Sequence, residues 1–282
     1  MYLSPDVPVV VKKYAHQLRF FTLCIQSPEE LEKTIAPFPS LKNLRVINGG
    51  EDLDLYLWDA LDALRAAPAL VDCELNCIHE DDSTNPPPLT HFSLRHLRLG
   101  RRPQLPEAEL QREFVTSEQI LKLLTLPALD TLFISDLDIS DTEFTSFITR
   151  STPPLQSLHL SMHREFLEEG GSEFPWLRLV PGLRDLTLDF GHFFRDVLHF
   201  LETMGTDSDF VPNLRNVTIR SWAFNEDDFE TIIEMLSQRT QLQSFRVFHP
   251  HDDPDFTPDD DALATLRQLV ENGMQIQVGL WS

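Results

Sequence analysis

Cysteine and positive charge are both scarce in this sequence, and each scarcity closes off a class of protein. Of 282 residues only three are cysteines, Cys24, Cys73 and Cys77, too few and too unevenly spaced to staple a small secreted domain. They read as reduced thiols, so the expected compartment is the cytoplasm or the nucleus. Lysine and arginine number 23 against 45 aspartates and glutamates, a formal net charge of −22. That charge repels phosphate backbones and anionic membrane surfaces, so neither nucleic acid nor a membrane is expected as a partner. Long apolar runs are missing as well. The stretch from Val7 to Val11 is interrupted by Pro8 and closed by Lys12 and Lys13, shorter than a secretory signal requires. Nothing approaches the roughly 20 apolar residues of a membrane-spanning helix. Catalytic signatures are absent too: there is no GxSxG, GxxxxGK[ST], GxGxxG or HExxH. An enzyme is not expected, and no cofactor is implied.

What the chain does have is apolar side chains in a fixed order. Hydrophobic residues make up 41% of it and include 20 Phe, enough for a packed core. One phrase recurs nine times: a leucine, two free positions, an apolar residue, one free position and another apolar residue. Copies begin at Leu18 (LRFFTL), Leu41 (LKNLRV), Leu70 (LVDCEL), Leu94 (LRHLRL), Leu129 (LDTLFI), Leu155 (LQSLHL), Leu183 (LRDLTL), Leu214 (LRNVTI) and Leu242 (LQSFRV). The steps run from 23 to 35 residues and average 28. This is the strand signature of a leucine-rich repeat. It predicts an α/β solenoid, or horseshoe, of about nine to ten repeats, with a parallel sheet on the concave side and helices on the convex side. A single domain spans 1–282, with 1–17 as an edge segment and 18–282 as repeats. Val7 to Val11 is expected to pair as an irregular extra strand.

Helix starts lie between the phrases. Ser27-Pro28-Glu29-Glu30, Thr116 to Gln119, Ser140 to Glu143 and Thr257-Pro258-Asp259-Asp260 offer a capping hydroxyl with an acidic or amide residue three positions on, and Asn225 heads a further acidic start. Carboxylates there favour the positive end of the helix dipole, which accounts for much of the acidity and for most carboxylate pairs. Helical spacing puts Phe229, Ile232, Ile233 and Leu236 on one stripe, as it does Ile120, Leu123 and Leu124, and Leu263, Leu266, Leu269 and Val270. Insertions at Asn85 to Pro88, Gly100 to Glu113 and Gly170-Gly171 should form loops at the rim.

Several joints share more than the general pattern. LTLPALDTLFI (124–134), SFITRSTPPLQSLHL (146–160), LRLVPGLRDLTL (177–188), FVPNLRNVTIRS (210–221) and MLSQRTQLQSFRVF (235–248) run from a helix end or a proline into the strand in a consistent way. From about Leu18 to Val278 the chain resembles the C-terminal leucine-rich region of the large fungal group of F-box proteins. The resemblance implies recognition of a protein substrate for an SCF-type ubiquitin ligase, whose adaptor binds a separate N-terminal F-box. Residues upstream of Leu18 do not provide one, so adaptor binding is expected only if an F-box is supplied upstream. The alternative is a free-standing structural or regulatory repeat protein.

The middle free position of each phrase should project from the sheet, since strand side chains alternate. Successive copies place Thr22, Arg45, Glu74, Arg98, Phe133, His159, Thr187, Thr218 and Arg246 there. Arg45, Glu74 and Arg98 could form a ladder of charges, while Arg98, Phe133 and His159 combine residue types that anchor interfaces. The expected partner-binding face therefore comprises Arg45, Glu74, Arg98, Phe133, His159 and Arg246. Metal readings are weaker. Cys73, Cys77 and His79 supply three ligands where zinc needs four, and Cys73 occupies a core position of its phrase. His249, His251, Asp252, Asp253 and Asp255 read as a polar loop between the last two strands.

Overall fold

The computed structural model describes residues 7–25, 34–48, 55–76, 78–79, 86–100, 117–137, 140–162, 174–190, 194–221, 228–249 and 258–280. The fold is α/β, with ten strands of parallel sheet and seven α-helices among these residues. The chain divides into two compact units, Met1–Pro154 and Leu155–Ser282.

In the first unit the sheet strands are β1 (Phe20–Ile25), β2 (Asn43–Asn48), β3 (Asp72–Asn76), β4 (His96–Gly100) and β5 (Thr131–Leu137), each parallel to the next. Every strand begins two residues after the leading leucine of a phrase. Leu44 and Val46, Cys73 and Leu75, Leu97 and Leu99, and Leu132 and Ile134 are buried, so period-two alternation assigns one face of each strand to the core. Two backbone devices repeat. The N–H of the leading leucine closes a turn onto the carbonyl three residues before it, as in Leu41 to Phe38, Leu70 to Ala67 and Leu129 to Leu126. The carbonyl of the residue after that leucine then accepts two N–H groups from the following strand entry, Arg19 from Lys42 and Asn43, and Lys42 from Val71 and Asp72. At Leu94 the first device changes hands: the N–H donates 3.2 Å to Nδ1 of His91, whose Nε2 lies 3.0 Å from the Ala67 carbonyl. β4 ends at Gly100, with φ of +144° and the Ser135 hydroxyl 1.8 Å from where a Cβ would stand. Only glycine fits there.

The helices of this unit are α1 (Val7–Tyr14), α2 (Leu57–Ala66), α3 (Ser117–Leu123) and α4 (Asp141–Ser151). The run from Val7 to Val11 is thus helix and not an extra strand. Pro8 falls in the first turn, where no amide hydrogen is needed. Val9 and Val10, 67% and 51% exposed, find no sheet edge. The Ser140 cap holds, accepting from the Glu143 N–H at 3.3 Å. On α3 the buried residues are Ile120 and Leu121, whereas Leu123 is half-buried and Leu124 already belongs to a two-residue strand with Thr125. Arg150, in the last turn of α4, donates to the Leu121 and Leu124 carbonyls at the end of α3.

The second unit repeats the scheme with β6 (Ser157–Met162), β7 (Asp185–Asp189), β8 (Asn216–Arg220), β9 (Ser244–His249) and β10 (Gln275–Leu280), again each parallel to the next. β10 lies beyond the ninth phrase. By register the leading leucine's place falls on Gly273, whose φ is +101°. Helices α5 (Phe194–Thr206), α6 (Asp228–Gln238) and α7 (Asp260–Glu271) cover the core. Phe174 sits at its centre, with ring centroids 5.9 Å from Trp176, 6.0 Å from Phe190 and 5.7 Å from Phe200, all edge-on. Buried Arg239 follows α6 and donates to the carbonyls of Met204, Asp207 and Phe210 around the end of α5. The α6 stripe buries Phe229, Ile232, Met235 and Leu236, with Ile233 half-buried. The last helix departs from expectation twice. Its cap is Asp259, whose carboxylate accepts from the Ala262 N–H at 2.6 Å, so the helix starts two residues later than the sequence suggests and Pro258 precedes the cap; Thr257 lies outside the described residues. Of its stripe only Leu266 is buried, while Val270 is 48% exposed. Of the insertion at Asn85 to Pro88, residues 86–88 are described and form neither helix nor strand; the starts at Ser27, Thr116 and Asn225, with Asn85, Arg101 to Glu113 and Gly170-Gly171, lie outside the described residues.

Candidate functional site

The surface available for binding is the sheet face turned away from the core, and strand register decides which side chains share it. In the first unit Thr22 pairs with Arg45, Arg45 with Glu74, Glu74 with Arg98 and Arg98 with Phe133. These five positions form one straight row. In the second unit His159, Thr187, Thr218, Arg246 and Gln277 form another.

Within the first row the contacts fall into two pairs. Arg45 Nε is 2.9 Å from Glu74 Oε2. The Arg98 guanidinium carbon lies 4.5 Å from the centroid of the Phe133 ring, a cation–π stack. The three-residue charge ladder therefore becomes one ion pair and one stack, because an aromatic face competes for Arg98. Phe133 is half-buried beneath it, and Arg45 and Arg98 are exposed. One row over, Asp72 Oδ2 approaches His96 Nδ1 at 3.5 Å. In the second unit His159, Thr187 and Thr218 are half-buried and Arg246 is exposed. Arg246 also borders a shallow recess of about 530 Å³, whose other walls include Val270, Met274 and Gln277.

A second row was not anticipated. The first free position of each phrase carries Arg19, Lys42, Val71, Arg95 and Asp130 in one unit, and Gln156, Arg184, Arg215 and Gln243 in the other. Five of these nine are basic. The carbonyls of Arg19, Lys42, Val71, Arg95, Gln156, Arg184 and Arg215 form the repeated double acceptor, and every basic side chain of the row is exposed. The ten strands with the residue before each hold nine of the 23 basic side chains but six of the 45 acidic ones. The sheet is thus locally basic in a strongly acidic chain. The signal was the arginine after the leading leucine in LRFFTL, LRHLRL, LRDLTL and LRNVTI, overlooked when only the middle position is followed.

The alternative metal centres gain no support. Cys73 is a free thiol fully buried between Leu44 and Leu97, and burial pushes its pKa far up, with Asp72 and Glu74 adding to the rise. Cys77, His251, Asp252, Asp253 and Asp255 lie outside the described residues, His79 belongs to a two-residue strand, and His249 is buried at the end of β9. Among the described residues no group of three or more His, Cys, Asp or Glu could hold a metal ion, and no helix is long and apolar enough to cross a membrane. No family model matches the sequence, and no curated protein is detectably similar to it.

Proposed function

We propose that this chain is a non-catalytic protein-binding module, a leucine-rich-repeat solenoid of the horseshoe type whose concave surface is the outward face of the sheet. The observation that carries the reading is the register of the middle row. Arg45, Glu74, Arg98 and Phe133 come from segments far apart in sequence yet stand on consecutive strands, and their chemistry is not what a merely solvated face requires. An arginine stacked on a half-buried aromatic presents a flat, cationic contact of the kind that anchors interfaces. The resemblance to the fungal F-box group supports substrate recognition for an SCF-type ubiquitin ligase, in the cytoplasm or nucleus, with the adaptor engaged only if an F-box is supplied upstream.

The test is affinity capture from the source cells with wild type and with Arg98→Ala/Phe133→Ala, after circular dichroism has shown that the variant is folded. The expected outcome is loss of the specific partners from the variant, with an SCF adaptor recovered only by a chain that carries an F-box. Unchanged recovery of every partner would reject the middle row as the binding surface.

A further inference from the structure

We infer that the outward sheet face of the second unit binds an acidic segment of a protein partner, with Arg184, Arg215 and Arg246 as its carboxylate receptors. This rests on the protein-binding reading above and names the partner's chemistry. Arg184 and Arg215 occupy neighbouring strand entries, since the Arg184 carbonyl accepts from both the Arg215 and the Asn216 N–H, at 2.8 and 2.9 Å. Both side chains are exposed, and among the described residues neither has an ion pair or side-chain hydrogen bond. The nearest acidic neighbour in sequence, Asp185, is engaged by the Asn216 amide at 2.5 Å. Arg246, on the next strand, is exposed and unpaired in the same sense.

Arg184 and Arg215 stand at matching entries of adjacent strands, about 4.8 Å apart, so their guanidinium groups repel one another and are relieved by anions. Arg246 stands on the next strand three residues further along, in register with Thr218, where an extended segment running along the strands would meet it. The net charge of −22 does not forbid an acidic ligand. Screening extends about 8 Å at physiological salt, and the acidic helix starts lie a structural layer away, roughly 10 Å. At contact, an arginine and a carboxylate form two parallel hydrogen bonds whatever the distant charges are. The recess beside Arg246 adds a second feature. Val270, Met274 and Ile276 give it an apolar wall and Gln275 and Gln277 an amide wall, so an apolar side chain next to the bound carboxylate would be accommodated. Nucleic acid carries the same charge sign but would bring its whole phosphate backbone against the acidic remainder of the chain.

The probe is a dye-labelled ten-residue peptide of aspartate and glutamate with two leucines, read by fluorescence anisotropy against a matched peptide with Asn and Gln in place of the acids. Wild type should bind the acidic peptide, more weakly as salt rises, and not the amide peptide. Arg184→Ala/Arg215→Ala should weaken binding about five- to tenfold, as expected for two exposed ion pairs. Lys12→Ala/Arg267→Ala, which removes the same charge elsewhere, should leave it unchanged. Equal binding of the amide peptide, an equal loss in the control variant, or tighter binding of labelled single-stranded DNA would each overturn the assignment. So would sedimentation showing that a second copy of the chain occupies this face. A silent peptide with partner capture still dependent on Arg98 and Phe133 sinks this inference alone; loss of both results sinks the protein-binding reading too.

Discussion

His91 shows how much one side chain can carry when it replaces a backbone group. It is 4% exposed, and its two ring nitrogens have different obligations. Nδ1 must accept from the Leu94 N–H and Nε2 must donate to the Ala67 carbonyl, so the neutral Nε2-protonated tautomer alone satisfies both. Burial lowers its pKa from the usual 6.5, against a smaller raising effect of the Ala67 carbonyl. The unfolded chain therefore binds the proton more readily than the folded one. Stability from this residue is fully present above the unfolded pKa of about 6.5 and is lost as pH falls through the window down to the lowered folded value. Urea unfolding of wild type and His91→Gln between pH 7.5 and 5.5 should show the wild type losing its advantage on acidification; parallel curves would contradict the assignment. His91→Ala at pH 7.5 should cost about 1–3 kcal/mol, because the buried Leu94 N–H is left unpaired, while the Ala67 carbonyl keeps only the Leu70 N–H. The phrase LRHLRL gave no hint of this. The histidine precedes it by three residues, where other copies use a carbonyl.

At the scale of the element, legibility followed the chemistry. Nine strands lie where the apolar phrase puts them, since period-two burial leaves each little choice of face. β10 escaped the phrase because a glycine at positive φ stands in for its leucine. α1 was misread because consecutive valines favour strands, yet nothing pairs with them. Asp259 caps α7 in place of the hydroxyl that the sequence pattern favours, because a carboxylate accepts the same N–H bond. Residues assigned to the core by the phrase should dominate stability. Leu158→Ala or Leu186→Ala should cost about 2–5 kcal/mol, each removing a side chain that is 1% exposed. Glu234→Gln, on the exposed side of α6, should change stability by less than roughly 0.5 kcal/mol. A denaturation series in which the two classes matched would refute the register.

For the whole molecule, exposure of large apolar groups is uneven. Val9, Val10 and Tyr14 on α1 and Phe20 on β1 all stand in solvent, Phe20 at 73%, whereas β7, β8 and β9 each bury both core positions almost completely. Amide exchange should therefore release α1 and β1 well before β7 to β9; equal protection would contradict this ordering. The candidate surface was half legible. The middle row followed from alternation, but which pairs form depended on the competition between Glu74 and Phe133 for the arginines, a matter of distances that no repeat encodes. The double-acceptor carbonyl that recurs at strand entries has a further implication. It uses only the two residues after a leading leucine, while the chain between copies varies from 23 to 35 residues. Assembly thus depends on short fixed joints separated by spans of elastic length. Loop closure penalises added length only slowly, so a foreign epitope or sensor peptide spliced into a long span would leave strand order intact, and lineages could lengthen those spans independently of the binding face.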